Sequence, residues 1–167
     1  MWLVVAVVVL VVAVATYLTW VATRVDRLHA RAAGAYSALD AHSMRRAAAA
    51  ADLGERFALA EVQTAAKSVL AAGEEDRAVA ENDLTARLRS SIGTPVRVLD
   101  GDEVELVVEA SRRLGLARQV HTDRVRDARA VRRRPTVRLL GFARKYPVPR
   151  FFDIDDPTLD DADLLGR

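Results

Sequence analysis

The chain has 167 residues, no cysteine, 5% aromatic residues and a nearly balanced charge, 25 Lys and Arg against 23 Asp and Glu for a net of +2. Without cysteine there is no disulfide framework and no thiolate metal or redox site, and the length left after an N-terminal apolar run suits one domain with a real core. Abundant Ala, Val, Leu and Arg with few aromatics favour Ala-rich helices having thin contact faces over sheets or sandwiches.

The first predicted element is "WLVVAVVVLVVAVATYLTWVA", Trp2 to Ala22, 21 residues without a charge. As a helix rising about 1.5 Å per residue it reaches roughly 31 Å, the thickness of a bilayer's hydrocarbon core. Trp2 at one end, with Tyr17 and Trp20 near the other, occupies positions where amphipathic rings favour the membrane interface. A cleaved signal peptide fits less well. No Lys or Arg precedes the run, it exceeds the usual apolar length of about 7–15 residues, and the small-residue pattern Ala13-Val14-Ala15 falls inside it. Residues 1–23 are therefore read as a single-pass transmembrane anchor. Arg24, Arg27 and Arg31 lie close behind it, so the positive-inside bias places the body on the cytoplasmic side of the cell membrane.

The body, residues 24–134, carries helical periodicity. Val25, Leu28, Ala32, Ala35, Leu39, His42, Arg46, Ala49 and Leu53 are spaced by threes and fours, the rhythm of a coiled-coil-like seam. A second helix is predicted from near Asp52, with Leu59, Val62, Ala66 and Val69 on its stripe and Gly73 as C-cap or weak point. A third carries Ala80, Leu84 and Leu88. "SIGTPVRVLDGD", residues 91–102, concentrates Gly, Pro and Asp and reads as the main loop, with Asp102 as N-cap of the helix beyond it. The only strand-like run, residues 96–99, is too short to build a sheet. That helix runs from about Glu103 to Arg134 with Val104, Val108, Leu114, Ala117, His121, Val125, Ala128 and Val131 or Arg132 near one stripe, and Pro135 stops it. Residues 135–167 form a C-terminal extension with an acidic tail. The predicted class is all-α, a transmembrane helix followed by an antiparallel helical bundle.

Asp40, His42, Arg45 and Arg46 are the candidate site residues within this pattern, and they are read as structural and registry features. Asp40, His42 and Ser43 include the side-chain types of a hydrolytic triad, but their spacing on a helix does not let them converge. No His has Glu three residues before it, as a bundle di-metal site needs, and no glycine-rich phosphate loop is present. No enzyme activity and no cofactor are expected. A buried charge needs a partner, so Arg46 inside the seam calls for a carboxylate on another helix.

From Arg112 to Arg150 there are thirteen Lys and Arg against two Asp, a net of +11, whereas Phe151 to Arg167 holds six Asp and one Arg, a net of −5. The tail is able to fold back on the basic segment. Arg132, Arg133, Arg134, Arg138, Phe142, Arg144, Lys145, Phe151 and Phe152 are the candidate lipid- or partner-contacting residues, with anionic headgroups as one ligand. Nucleic acid is disfavoured, because the segment has neither stacking platforms nor a reader motif. Leu139, Leu140, Phe142, Phe151 and Phe152 need cover, either across the bundle end or at a membrane surface.

The order of the anchor, "AYSALDAHSMRR" at 35–46, "AENDLTARLRSSIG" at 80–93 and "LARQVHTDRVRDARAVRRRPTVRLLGFARKYPVPRFFDIDDP" at 116–157 resembles the LemA family of bacterial membrane-anchored helical proteins. Tyr36, Leu39, Asp40, Arg45 and Arg46 match the pattern of that family's first cytoplasmic helix. Pro135, Gly141, Phe142, Phe151, Phe152 and Asp153 match its C-terminal region. Val120-His121 and Ala128-Arg129 stand where the family carries Tyr-Asn pairs, and Ala47 to Asp52 replaces its Leu-Ile-Pro-Asn segment. The resemblance implies a long antiparallel bundle and a scaffold or interaction protein with no established biochemical activity. The alternative is a membrane-tethered regulator whose basic face, residues 112–150, binds anionic lipid or nucleic acid. Partner proteins are expected, and the Ala-rich faces suit homo-oligomer contacts as well as contacts within the chain.

Overall fold

The computed structural model describes residues 1–92 and 102–159; the loop residues 93–101, with the 96–99 run, and the tail residues 160–167 lie outside them. The described residues form five helices and no strand: α1 Trp2–Arg56, α2 Ala60–Ala71, α3 Arg77–Ile92, α4 Asp102–Arg132 and α5 Pro135–Leu140. The class is all-α, led by a helix long and apolar enough to cross a membrane. Two compact units divide the chain, one of residues 1–34 and 123–150, the other of residues 35–122 and 151–167.

In the first unit, every residue of α1 up to Tyr17 is exposed. A helix that is apolar all round and uncovered by protein suits lipid as its solvent. Thr16, Thr19 and Thr23 return their hydroxyls to the carbonyls four residues back at 2.8–2.9 Å, so none needs water. Packing begins at Val21 and Val25, which meet Val131, Val137 and Ala143, with Leu28, Phe142 and Tyr146 around them. α4 ends at Arg132, and Arg134 is extended because the following proline disfavours the helical region there. Pro135 then opens α5, where its missing N–H costs nothing. Gly141 closes α5 in the left-handed region at φ 68°.

The second unit gathers α1 from Ala35, α2, α3, α4 up to Thr122 and the C-terminal strap. The α2–α3 pair is antiparallel, since Arg77 reaches the carbonyl of Val69 while Arg87 reaches Glu61. α1 and α4 are antiparallel as well, because Arg56 pairs with Glu103, Arg46 with Ser111 and Tyr36 with His121. The main core holds Ala47, Ala50, Leu53, Val62, Ala66, Val69, Leu84, Leu88 and Val107. Each fully buried Leu in it contributes about 1.5–3 kcal/mol. Phe152 and Ile154 of the strap pack with Leu39 and Leu114 in a second cluster, and Leu159 joins the first. Asn82 accepts from the Asp155 N–H at 2.8 Å, and Arg89 donates to the Asp156 carbonyl at 2.8 Å. The described part of the tail is thus held by apolar side chains and by hydrogen bonds to its backbone.

Several boundaries differ from the sequence reading. No helix starts near Asp52: α1 continues to Arg56, then turns with the Leu59 N–H on the Gly54 carbonyl at 2.8 Å and the Ala58 N–H on the Glu55 carbonyl at 3.4 Å. Ala58 takes the left-handed conformation, φ 53°, that this ending requires. Gly73 is not the left-handed cap of α2, which ends through an extended Ala72 with ψ 139°. Asp102 lies in the first turn of α4 beside Glu103 and Glu105, where negative charge meets the positive end of the helix dipole. Of the nine seam positions expected on α1, Val25, Ala32, Leu39, Arg46 and Leu53 are buried and Leu28, Ala35, His42 and Ala49 half-buried, with His29, Ser43 and Ala50 buried beside them. The buried face is thus wider than a strict 3.5-residue seam, as on a helix that packs against a core and not only along one partner.

Candidate functional site

The four candidates on α1 belong to the second unit and go to different partners. Arg46 is fully buried, and its Nη1 donates to Glu81 Oε2 on α3 at 2.6 Å, with Glu81 only 1% exposed. Arg46 Nε donates to Ser111 Oγ on α4 at 3.0 Å, and the Ser43 hydroxyl donates to Glu81 Oε1. Three helices thereby share one buried polar knot. Burial pulls the Arg46 pKa down and the Glu81 carboxylate opposes that pull. Arg46 Nη2 has no hydrogen-bond partner among the described residues.

Asp40 pairs with Arg77 at 3.0 Å, and the same guanidinium donates to the Val69 and Ala72 carbonyls at 3.1 and 2.7 Å. Arg77 therefore satisfies the open carbonyls at the C-terminus of α2, a position where cations are favoured. His42 is half-buried in a cleft of about 320 Å³ with Arg45, Asp52, Glu103, Leu106 and Arg113 among its walls. Desolvation first, then Arg45 and Arg113, hold its pKa below the usual imidazole value. Asp40, His42 and Ser43 do not come together as an acid, base and nucleophile, since Asp40 faces Arg77 and Ser43 faces Glu81.

His121 is buried with Nδ1 unpartnered among the described residues and its ring tilted on Tyr36, centroids 5.8 Å apart. Burial pushes its pKa down. Among the described residues no group of three or more His, Asp or Glu side chains is placed to hold a metal ion.

The basic candidates divide. Arg132, expected at a lipid or partner contact, is used inside the first unit: its Nη1 donates to the Ala143 and Tyr146 carbonyls at 2.9 and 3.1 Å and lies 3.2 Å from His29 Nε2. His29 Nδ1 meets the Val25 carbonyl at 2.9 Å, which fixes that nitrogen as donor and leaves Nε2 to accept from Arg132. The His29 ring stacks on Tyr146 at 4.6 Å. Lys145 pairs with Asp26 at 3.0 Å, holding that carboxyl below its usual range. Phe152 is buried and Phe142 half-buried, whereas Phe151 stays exposed. Arg133, Arg134, Arg138 and Arg144 are exposed and make no ion pair among the described residues.

Glu81, Ser111 and His29 are not among the candidates the sequence singles out, and Ser43 enters there only as a member of a triad that does not converge. The signal for Glu81 was its i−3 spacing from Leu84, which puts a carboxylate on the apolar stripe of α3. No protein-family model, curated protein or solved structure matches the chain.

Proposed function

We propose that this protein is a membrane-anchored helical scaffold, working by protein contact and not by catalysis, with its body on the cytoplasmic side. One observation carries the reading: α1 is a single uninterrupted helix whose first part is apolar and uncovered while its later part supplies the seam of an all-α unit. Such a helix has its two stretches suited to two solvents, lipid and protein. The buried Arg46–Glu81 pair supports a structural role for the polar residues, because both side chains are sealed from any substrate. The cleft with Leu106, 60% exposed amid charges of both signs, supports a partner-binding role. The LemA resemblance of Tyr36, Leu39, Asp40, Arg45 and Arg46 belongs to the same proposal.

Alkaline carbonate extraction tests the anchor: the full chain is expected to stay with the membrane pellet, and its release overturns the reading. A photo-crosslinking residue at Leu106 tests the scaffold. Discrete protein adducts in native membranes are expected, and their absence, with adducts equally absent from Arg45, overturns it.

A further inference from the structure

α5 sits at the end of the apolar run within the first unit. Val137, Phe142 and Ala143 pack on Val21 and Val25, the last turn of that run and the turn beyond it. Arg132 and Lys145, on either side of α5, are tied to His29 and Asp26 on the same stretch of α1. From Trp20 to Val25 the helix rises only about 7 Å, comparable to one headgroup layer of a bilayer whose polar regions add roughly 10–15 Å to the core. Trp20 is itself suited to that layer, with Tyr17 stacked at 6.3 Å and Arg24 over its ring at 5.5 Å.

Two apolar side chains of α5 are turned away from the core, Leu139 being 85% and Leu140 44% exposed. Four basic residues, Arg133, Arg134, Arg138 and Arg144, are exposed around them without an ion pair among the described residues. Two exposed leucines bordered by unpaired guanidiniums form a small amphipathic surface suited to an anionic interface. The packing of α5 on α1 brings this surface to the depth where α1 leaves the hydrocarbon.

We infer that residues 133–144 form an interfacial foot on the same bilayer that α1 crosses. Leu139 and Leu140 enter the acyl boundary, and Arg133, Arg134, Arg138 and Arg144 bind phosphate oxygens of anionic headgroups. The inference rests on the reading of α1 as a membrane anchor. Arg132 and Lys145 are left as positioning residues that hold α5 to α1.

The chain has no cysteine, so single labels can be placed in the full-length protein without other changes. Nitroxides at Leu139→Cys, Leu140→Cys, Val9→Cys and Val79→Cys are compared after reconstitution into phosphatidylcholine vesicles with and without phosphatidylglycerol, reading accessibility to oxygen and to a nickel chelate. With phosphatidylglycerol, positions 139 and 140 are expected to show an oxygen-to-nickel ratio several-fold above that of position 79, with position 9 reading lipid. Omitting phosphatidylglycerol is expected to lower the ratio at 139 and 140 while leaving 9 unchanged; an equal ratio in both vesicles overturns the headgroup role of the arginines. If 9 reads lipid while 139 and 140 match 79, the foot is overturned and the anchor stands. If 9 also matches 79, the anchor itself fails and the foot with it.

Discussion

Each compact unit draws an arginine into its packing, and the two are satisfied differently. Arg46, wholly buried in the second unit, faces the carboxylate of Glu81 and two serine hydroxyls from α1 and α4 complete the knot. Arg132, half-buried in the first unit, is held by two backbone carbonyls and an imidazole nitrogen, with no carboxylate among the described residues. A guanidinium removed entirely from water requires an opposite charge, whereas one with water at its edge is satisfied by carbonyl dipoles. The second unit therefore closes its interior on a charge pair, and the first wraps a turn of chain on a cation.

The strongest way to break that contrast is Glu81→Ala, which leaves Arg46 buried and unpaired. A loss of about 3–5 kcal/mol is expected, read as a lower melting temperature by circular dichroism, while Arg45→Ala stays within about 0.5 kcal/mol. Replacing both partners, Arg46→Met with Glu81→Leu, is expected to return the stability to the native value or above it. A Glu81→Ala protein that melts with the native one removes the account of the knot.

Two glycines of α1 sharpen the comparison, one in each unit. A Cβ at Gly54 meets the Gln63 backbone nitrogen at 2.8 Å, so Gly54→Ala must push α2 away, at a cost of roughly 1–3 kcal/mol. At Gly34 nothing lies within 4 Å, and Gly34→Ala is expected to stabilise the helix by about 0.5–1 kcal/mol. Opposite signs in the two denaturation curves are the check.

Arg132→Ala is expected to cost about 1–2 kcal/mol, below Glu81→Ala, because water can replace the lost donor at a half-buried site. Loss of the His29–Tyr146 stacking, seen as a shift of the Tyr146 ring resonances, distinguishes this from a purely electrostatic effect.

The smallest effect at neutral pH comes from His121. Its folded pKa lies below the unfolded value of about 6.5, so the unfolded chain binds the proton more readily. Its contribution to stability is intact above that value and is lost as the pH falls below it. His121→Leu is expected to flatten the acid side of the stability profile; the remaining slope includes His42, whose pKa is depressed in the same direction. An unchanged acid slope rules out His121 as its source.

Much of the architecture is legible in the sequence. The apolar run, the three-and-four spacing of α1 and the stop at Pro135 all act through local geometry, which composition and spacing report directly. The end of α1 was not legible, because its left-handed position is filled by Ala58 and not by the glycine that usually marks such a turn. The end of α2 is equally hidden, since Arg77 from the next helix meets the Val69 and Ala72 carbonyls and no left-handed residue marks the turn. Of the candidate site, Arg46 stood out as a charge on an apolar stripe, but that Ser43 and not His42 joins its buried face depended on the Glu81 carboxylate of α3, which Ser43 meets.

By itself the sequence determined that this protein is helical, that residues 1–23 are apolar enough for lipid, and that Arg46 requires a counter-charge. These conclusions come from side-chain periodicity and from the cost of taking a charge out of water, both properties of the chain alone. Only the tertiary structure decided that Glu81 supplies that charge, that Arg132 is spent inside, and that α5 is packed at the end of the apolar run. Those pairings join residues distant along the chain, and no local rule of spacing selects one distant partner among many of like chemistry.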